Sequence, residues 1–502
     1  MNSAHILKSS VLLTGLTILT MLASFLVQLV IAYLFGAGWE VDVYFVSSAV
    51  PIFIMTILND AIGLTIIPLL NEYKDKGDEM KIKQLKVTIL LITLLCSISL
   101  TSLYIIGSKW IIQAIAPPGL SEKQFLLALD ISALLMLAAG FSICSSVLLY
   151  FYYFEGRFVL PSCIHFIPPL SIIVFGFFLS DRMGIKSLAF GSLIGGMLQC
   201  IVLMPIIFNL RGVALVLNLG VQKIYKNILL TILSLLPLPL VPIIDRYFAS
   251  SLPEGSISYL GYSWALALAA ASIISRGVLI TLFPYLSEKF YSDFNKLQGK
   301  IQEMVEFFFF ISIPLVLIMI FVREPLVRFL LMRGKFTAVD AANVSSILFW
   351  HMISVIGIVL FSAINRVNYA LNKFRNSTSA GFLQIILYIS ISAILVKYFS
   401  FKGIAMANSL AWAFSAIFLM TLLCNKGIIK DISSMFNSLL KVVYSGIIMF
   451  LFLKLGIYVK SENQYTLLLF FIVGGLAIYI FSAWYIFKVP IIRKIFKYQG
   501  AS

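Results

Sequence analysis

The sequence predicts an all-α polytopic membrane protein with about fourteen transmembrane helices, built as two pseudo-symmetric six-helix lobes followed by two additional C-terminal helices. Three observations lead there. Of 502 residues, 61% are hydrophobic and 12% are charged, and the mean hydropathy is +1.03, far outside the range of soluble globular domains. Apolar runs of about 20 residues, the length that crosses a hydrocarbon core about 30 Å thick, recur from end to end. The decapeptide LTIIPLLNEY at 64–73 returns 216 residues later as ITLFPYLSEK at 280–289, with Thr65/Thr281, Pro68/Pro284, Leu70/Leu286 and Glu72/Glu288 identical.

Taken in order, the apolar spans begin near Val11, Tyr44, Val87, Phe125, Phe158 and Ser187, and these six form a first lobe, 1–212. Val11 to Leu34 is too long for a signal-peptide core and has no small-residue cleavage site behind it, so it reads as a retained span. A break holding Arg211, Lys223 and Lys226 leads to a second lobe, 213–425, with spans from Asn227, Tyr259, Val305, Val344, Ser379 and Phe401. Asn425 to Lys441 then leads to the last pair, from Val442 and Tyr465, within 426–502. The region Arg323 to Asn343 reads as a break between spans.

Basic residues are retained on the cytoplasmic side during insertion. With both termini placed in the cytoplasm, inside segments hold 22 of the 37 Lys and Arg, outside segments hold 12, and three lie within spans. The net charge of +16 is therefore mostly an insertion signal, with a remainder for anionic lipid headgroups. Nucleic-acid binding needs a solvent-exposed basic domain, and the loops leave no room for one. The five cysteines, Cys96, Cys144, Cys163, Cys200 and Cys424, are scattered singly and read as packing residues, with neither a disulfide framework nor a metal site suggested.

An enzyme is the weaker reading. The longest loops run to about 20 residues, too short to fold a catalytic domain, and no GxSxG elbow, HExxH pair or P-loop lysine pattern occurs. Of the three histidines, His5, His165 and His351, the last two fall inside spans and read as packing residues. The carboxylates Asp60 and Asp130 lie in different helices, with no partner that the sequence identifies.

Charged side chains inside a bilayer usually face a wet cavity or a partner. Here they are Asp60, Asp130, Asp245, Arg246, Arg276 and Arg366. Arg276 and Arg246 are candidates to hold an anionic substrate, because a planar guanidinium donates two hydrogen bonds to a phosphate at once. The alternatives are an internal ion pair for Arg276 and snorkelling toward the headgroups for Arg366. Asp60 pairs with an arginine or carries a proton, and Asp245 with Gln384 could supply oxygen ligands to a small coupling cation.

The run AYLFGAGWEVDVY from Ala32 to Tyr44, then Pro51, then IIPLLNEYKDKG, resembles the opening of the MurJ/MviN family of lipid II flippases. That family is part of the superfamily of multidrug and oligosaccharidyl-lipid exporters. IIDRYFASSLPEGSISYLGY from Ile243 to Tyr262, ITLFPYLSE, and RGKFTAVDA from Arg333 to Ala341 resemble it in order and spacing. Asp42, Asp245, Arg246, Gly334, Lys335 and Phe336 match family positions.

The resemblance implies a fourteen-helix fold around a central cavity that moves an undecaprenyl-diphosphate-linked glycan across the bacterial inner membrane. It also implies cavity arginines in the first, second and eighth helices. Here those positions hold Val27 and Gln28, Met55 and Thr56, and, in the stretch Tyr262 to Ala265, Trp264 and Ala265.

The expectation is a lipid II-like flippase working by alternating access, with diphosphate held by Arg276, Arg246 and Arg366 and with Asp60 and Gln28 lining the cavity. A flippase for an O-antigen, capsule or exopolysaccharide repeat unit is the alternative; a drug/cation antiporter and a membrane glycosyltransferase are less favoured. No cofactor is expected, and the driving force is a coupling cation or the membrane potential. The partners are the lipid-linked glycan and membrane lipids.

Overall fold

The computed structural model of the chain describes residues 3–116, 120–210, 235–287, 294–370, 373–425, 432–458 and 464–489, with isolated positions between 213 and 233. Side chains are described from residue 15 onward, apart from 276–298 and positions flanking the gaps. Every regular element among the described residues is helical. Among the described residues, thirteen helices are long and apolar enough to cross a membrane. The expected seventh span begins outside the described residues, and only its far end, Pro237–Ala249, is described as a helix.

The chain divides into two compact units. The first holds Met1–Gly261 and Leu331–Asp340. It contains α1 (Ser3–Phe35), α2 (Trp39–Asp75), α3 (Glu79–Ile115), α4 (Glu122–Phe154), α5 (Val159–Ile164), α6 (Ile167–Met183), α7 (Lys186–Leu203), which runs into a 3₁₀ turn at Met204–Leu210, and α8 (Pro237–Ala249). One hydrophobic core lies where α2, α3, α4 and α7 meet, around Leu70, Leu85, Phe151 and Leu203. The span expected from Phe158 is two helices, α5 and α6, broken at His165 and Phe166 ahead of Pro168 and Pro169. A proline favours the first turn of a helix and disfavours continuation of the turn before it.

In α2, Pro51 and Pro68 lie inside one continuous helix. An interior proline costs about 3 kcal/mol in water because a backbone bond is lost. Within a bundle, neighbouring helices can re-satisfy the freed carbonyl. Asp130 on α4, which the sequence left without a partner, pairs with Lys186 at the start of α7. At the other end of α4, Glu155 takes the ammonium of Lys86 from α3 at 2.9 Å, while the rings of Phe151 and Phe154 lie under that ammonium at 5.4 and 5.2 Å.

The second unit holds Tyr262–Leu330 and Ala341–Ser502. It contains most of α9 (Ser256–Ser287), α10 (Phe294–Phe321), α11 (Arg323–Leu331), α12 (Ala338–Ala370), α13 (Phe374–Phe399), α14 (Phe401–Asn425), α15 (Ile432–Tyr458) and α16 (Gln464–Phe481). The spans do break between Phe321 and Ala338, and the break holds a short helix, α11, with Arg328 bonded to Glu324. Helices α13 and α14 form a tight hairpin in which Ser415 donates to the Ala380 carbonyl at 2.6 Å. Trp412 of α14 is buried against Gly357 and Phe361 of α12.

The last two helices pack on α10 through Val442, Met449, Phe471 and Tyr479. Pro314 inside α10 cannot donate to the carbonyl four residues before it. That carbonyl, on Phe310, accepts the hydroxyl of Tyr479 at 2.7 Å, and the two rings stack 5.0 Å apart.

Candidate functional site: a helix-end clasp and the polar residues of the spans

The first four N–H groups of a helix have no partner within it. Gly38, the residue capping α2, has no side chain to offer. Glu254 supplies the missing acceptor, taking the Trp39 N–H at 2.8 Å. The exchange is reciprocal. Asp42, in the first turn of α2, accepts the N–H of Gly255 and of Ser258 at 2.7 Å each, together with the Ser258 hydroxyl. Asp42 is 6% exposed, and a buried carboxylate persists only where donors replace its water. The two helix starts therefore cap one another through carboxylates 212 residues apart. The separation of Asp42 from Ser258 is 216 residues, the same offset as the repeated decapeptide.

A third segment closes the clasp. The Lys335 N–H donates to the Tyr33 carbonyl at 3.0 Å. Gly334 has φ +60°, and a Cβ there would lie 2.2 Å from that same carbonyl oxygen. Gly255, at φ +87°, would bring a Cβ to 2.7 Å from the Ala37 carbonyl. Only glycine fits such close approaches in the left-handed region. Thr337 and Asp340 bond reciprocally at the start of α12, and Tyr259 donates its hydroxyl to Asp340 at 2.9 Å. The motif residues of PEGSIS and GKFTAVDA thus form one structural junction.

The polar residues proposed from the sequence fall in both units. In the first, Arg246 is half-buried near the end of α8, its guanidinium 5.7 Å above the Phe45 ring, where a cation is favoured by the ring face. Asp245 beside it is buried. Gln28 is half-buried on α1, and its Oε1 has no donor among the described residues. Asp60 is exposed midway along α2; the adjacent Asn59 donates to Ser142 on α4 at 3.2 Å.

In the second unit, Arg366 is half-buried near the end of α12. Gln384 is fully buried on α13, with neither amide atom partnered among the described residues. Arg276 belongs to α9, but its side chain lies outside the described residues. Sequence reasoning missed the pairs Asp130–Lys186, Lys86–Glu155 and Ser263–His351. Each joins different helices, and no local spacing announces such partners.

A polytopic bundle of this kind has the fold of the MOP transporters. An inward-facing multidrug resistance MATE family transporter of that superfamily superposes with a TM-score of 0.62 at 14% identity, over 81% of this chain and 94% of that one. The chain belongs to the MurJ family: the family model described as "Lipid II flippase MurJ" matches residues 31–477. A lipid II flippase MurJ in an inward closed conformation superposes with a TM-score of 0.81 at 20% identity, covering 95% of this chain and 99% of that one. Among named relatives, a probable lipid II flippase MurJ of Buchnera aphidicola subsp. Schizaphis graminum is 27% identical over 90% of each chain. That of Borreliella burgdorferi is 22% identical over 96% of this chain and 97% of its own.

Proposed function

We propose that the chain is a flippase carrying an undecaprenyl-diphosphate-linked cell-envelope glycan precursor of the lipid II kind across the bacterial inner membrane. The single observation that carries this reading is the family match, which spans 31–477 and includes both motif-bearing halves. The reading has 1–212 and 213–425 act as lobes that rock about the substrate, with 426–502 as an addition and both termini cytoplasmic. Transport needs no catalytic residue, cofactor or nucleic acid. The diphosphate is held by Arg276, Arg246 and Arg366, Asp60 and Gln28 line the path, and Asp245 with Gln384 serves a coupling cation.

A second reading has its own support. The family's arginines are missing at Val27, at Met55 and Thr56, and at Ala265, so a flippase for a polysaccharide repeat unit on the same lipid carrier fits a less basic cavity.

The test is translocation in proteoliposomes of fluorescent lipid II against an undecaprenyl-diphosphate oligosaccharide without a peptide. Preferential movement of lipid II supports the first reading, movement of the oligosaccharide alone supports the second, and movement of neither sinks both.

A further inference from the structure

His351 lies near the middle of α12 and is fully buried. Its Nδ1 is 2.8 Å from the Ser263 hydroxyl of α9, and the edge of its ring meets Trp264 with centroids 5.4 Å apart at 67°. Its Nε2 is buried and has no hydrogen-bond partner among the described residues. An imidazole carries a polar nitrogen on each side in every protonation state, so half of this one's hydrogen-bonding capacity is unmet. Buried polar groups are overwhelmingly paired, so this nitrogen has capacity for a partner that the described residues do not supply.

Serine hydroxyls bond the backbone at this turn. Ser409 of α14 donates to the Trp350 carbonyl at 2.5 Å, and Ser354 donates to the His351 carbonyl at 2.7 Å. Two successive carbonyls of α12 therefore share their lone pairs with serine hydroxyls. Such bonds bend helices. A bend here would carry the ring with it.

Among the described residues, no charge on the helices touching this turn reaches the ring. Asp340 and Arg366 on α12, Arg276 on α9 and Lys402 on α14 are each at least about 10 Å away along their helix axes at a rise of 1.5 Å per residue. Histidine is the side chain whose ordinary titration falls within the physiological range. It can therefore gain and lose a proton as its surroundings change.

We infer that His351 is a proton-binding site of the transport cycle: Nε2 takes a proton from water when the α12 turn opens and returns it to water when the turn closes. As imidazolium the ring keeps Ser263 as the acceptor for Nδ1–H, while Nε2–H is served by water admitted with the opening. The inference rests on the transport reading for its place in a cycle. Its chemistry can be measured without transport.

The full chain is placed in nanodiscs with ¹³C-labelled histidine, and the His351 resonances are assigned by their loss in His351→Asn and in His351→Gln. Spectra are followed from about pH 5 to pH 8. Alongside, the rate of fluorescent lipid II translocation is followed over the same interval for the wild type and for whichever variant folds. The expected result is a titrating His351 signal and a wild-type rate that changes at least threefold, with a flat profile in the variant. A His351 signal that does not titrate overturns the inference, and so does a shared pH profile in wild type and variant. If lipid II is not moved at all, the transport reading fails; the resonance then decides whether His351 binds a proton.

Discussion

The hydroxyl of Tyr479 occupies the hydrogen-bonding position that Pro314 denies to the carbonyl of Phe310, at 2.7 Å. A defect inside α10 is thus converted into an attachment point for α16. Tyr479→Phe is expected to destabilise the docking of α16 by about 1 kcal/mol, the net worth of one buried hydrogen bond. On a Pro314→Ala background, where the restored backbone N–H bonds the carbonyl instead, the same substitution should cost less. Hydrogen exchange of the α16 amides in the four variants reads the coupling, and equal losses on both backgrounds would break the proposed link.

At the clasp, Asp42 satisfies two N–H groups and a hydroxyl while Glu254 satisfies one N–H. Asp42→Asn turns an amide N–H₂ toward donors in a buried site, and a loss of about 1–3 kcal/mol is expected. Glu254→Ala removes an exposed cap and should cost about 0.5–2 kcal/mol. Thermal unfolding in detergent ranks the two, and a larger drop for Glu254→Ala contradicts the assignment.

Two glycines with similar backbone angles make opposite predictions about crowding. Gly334 and Gly77 have φ of +60° and +71°, but a Cβ at Gly77 meets nothing within 4 Å, whereas one at Gly334 meets the Tyr33 carbonyl at 2.2 Å. Gly77→Ala should cost only the left-handed strain of about 1–2 kcal/mol. Gly334→Ala must also displace backbone, so its melting temperature should fall further and its yield of folded protein should drop.

The buried ion pair predicts an asymmetry. The side chain of Lys86 is 7% exposed and that of Glu155 is 25% exposed. Removing only the carboxylate, as in Glu155→Gln, leaves an ammonium against two phenylalanine rings, and a loss of about 3 kcal/mol is expected at the upper end. Lys86→Met keeps the stem packed and leaves a carboxylate that can turn to Arg157, 3.8 Å away, so the loss should be smaller. Chemical unfolding of the two variants decides, and the reverse order rejects the account.

Composition made the spans legible, because a bilayer demands about 20 apolar residues wherever it is crossed. Periodicity of this kind says where a helix lies but little about what it touches. The break between α5 and α6 was hidden because the segment remains apolar through Phe166, and α11 was hidden because a nine-residue amphipathic helix is too short and too charged to resemble a span. The site was legible only as residue types. Asp130 read as an isolated carboxylate because Lys186 lies 56 residues away, and His351 read as packing because nothing in its neighbourhood announces Ser263. Pairings of this kind depend on which helices become neighbours, and local spacing does not encode that.

The offset of the repeat also gives the clasp a direction. Adding 216 to Asp42 reaches Ser258, and adding it to Gly38 reaches Glu254, so each contact joins a position to the neighbourhood of its own counterpart. Ser258 answers the Asp42 carboxylate with an N–H and a hydroxyl, and Glu254 supplies the acceptor that Gly38 has no side chain to offer. At both positions the repeat offset therefore matches a group with the complement it needs, and an aspartate in place of Ser258 would set two carboxylates together in a buried site.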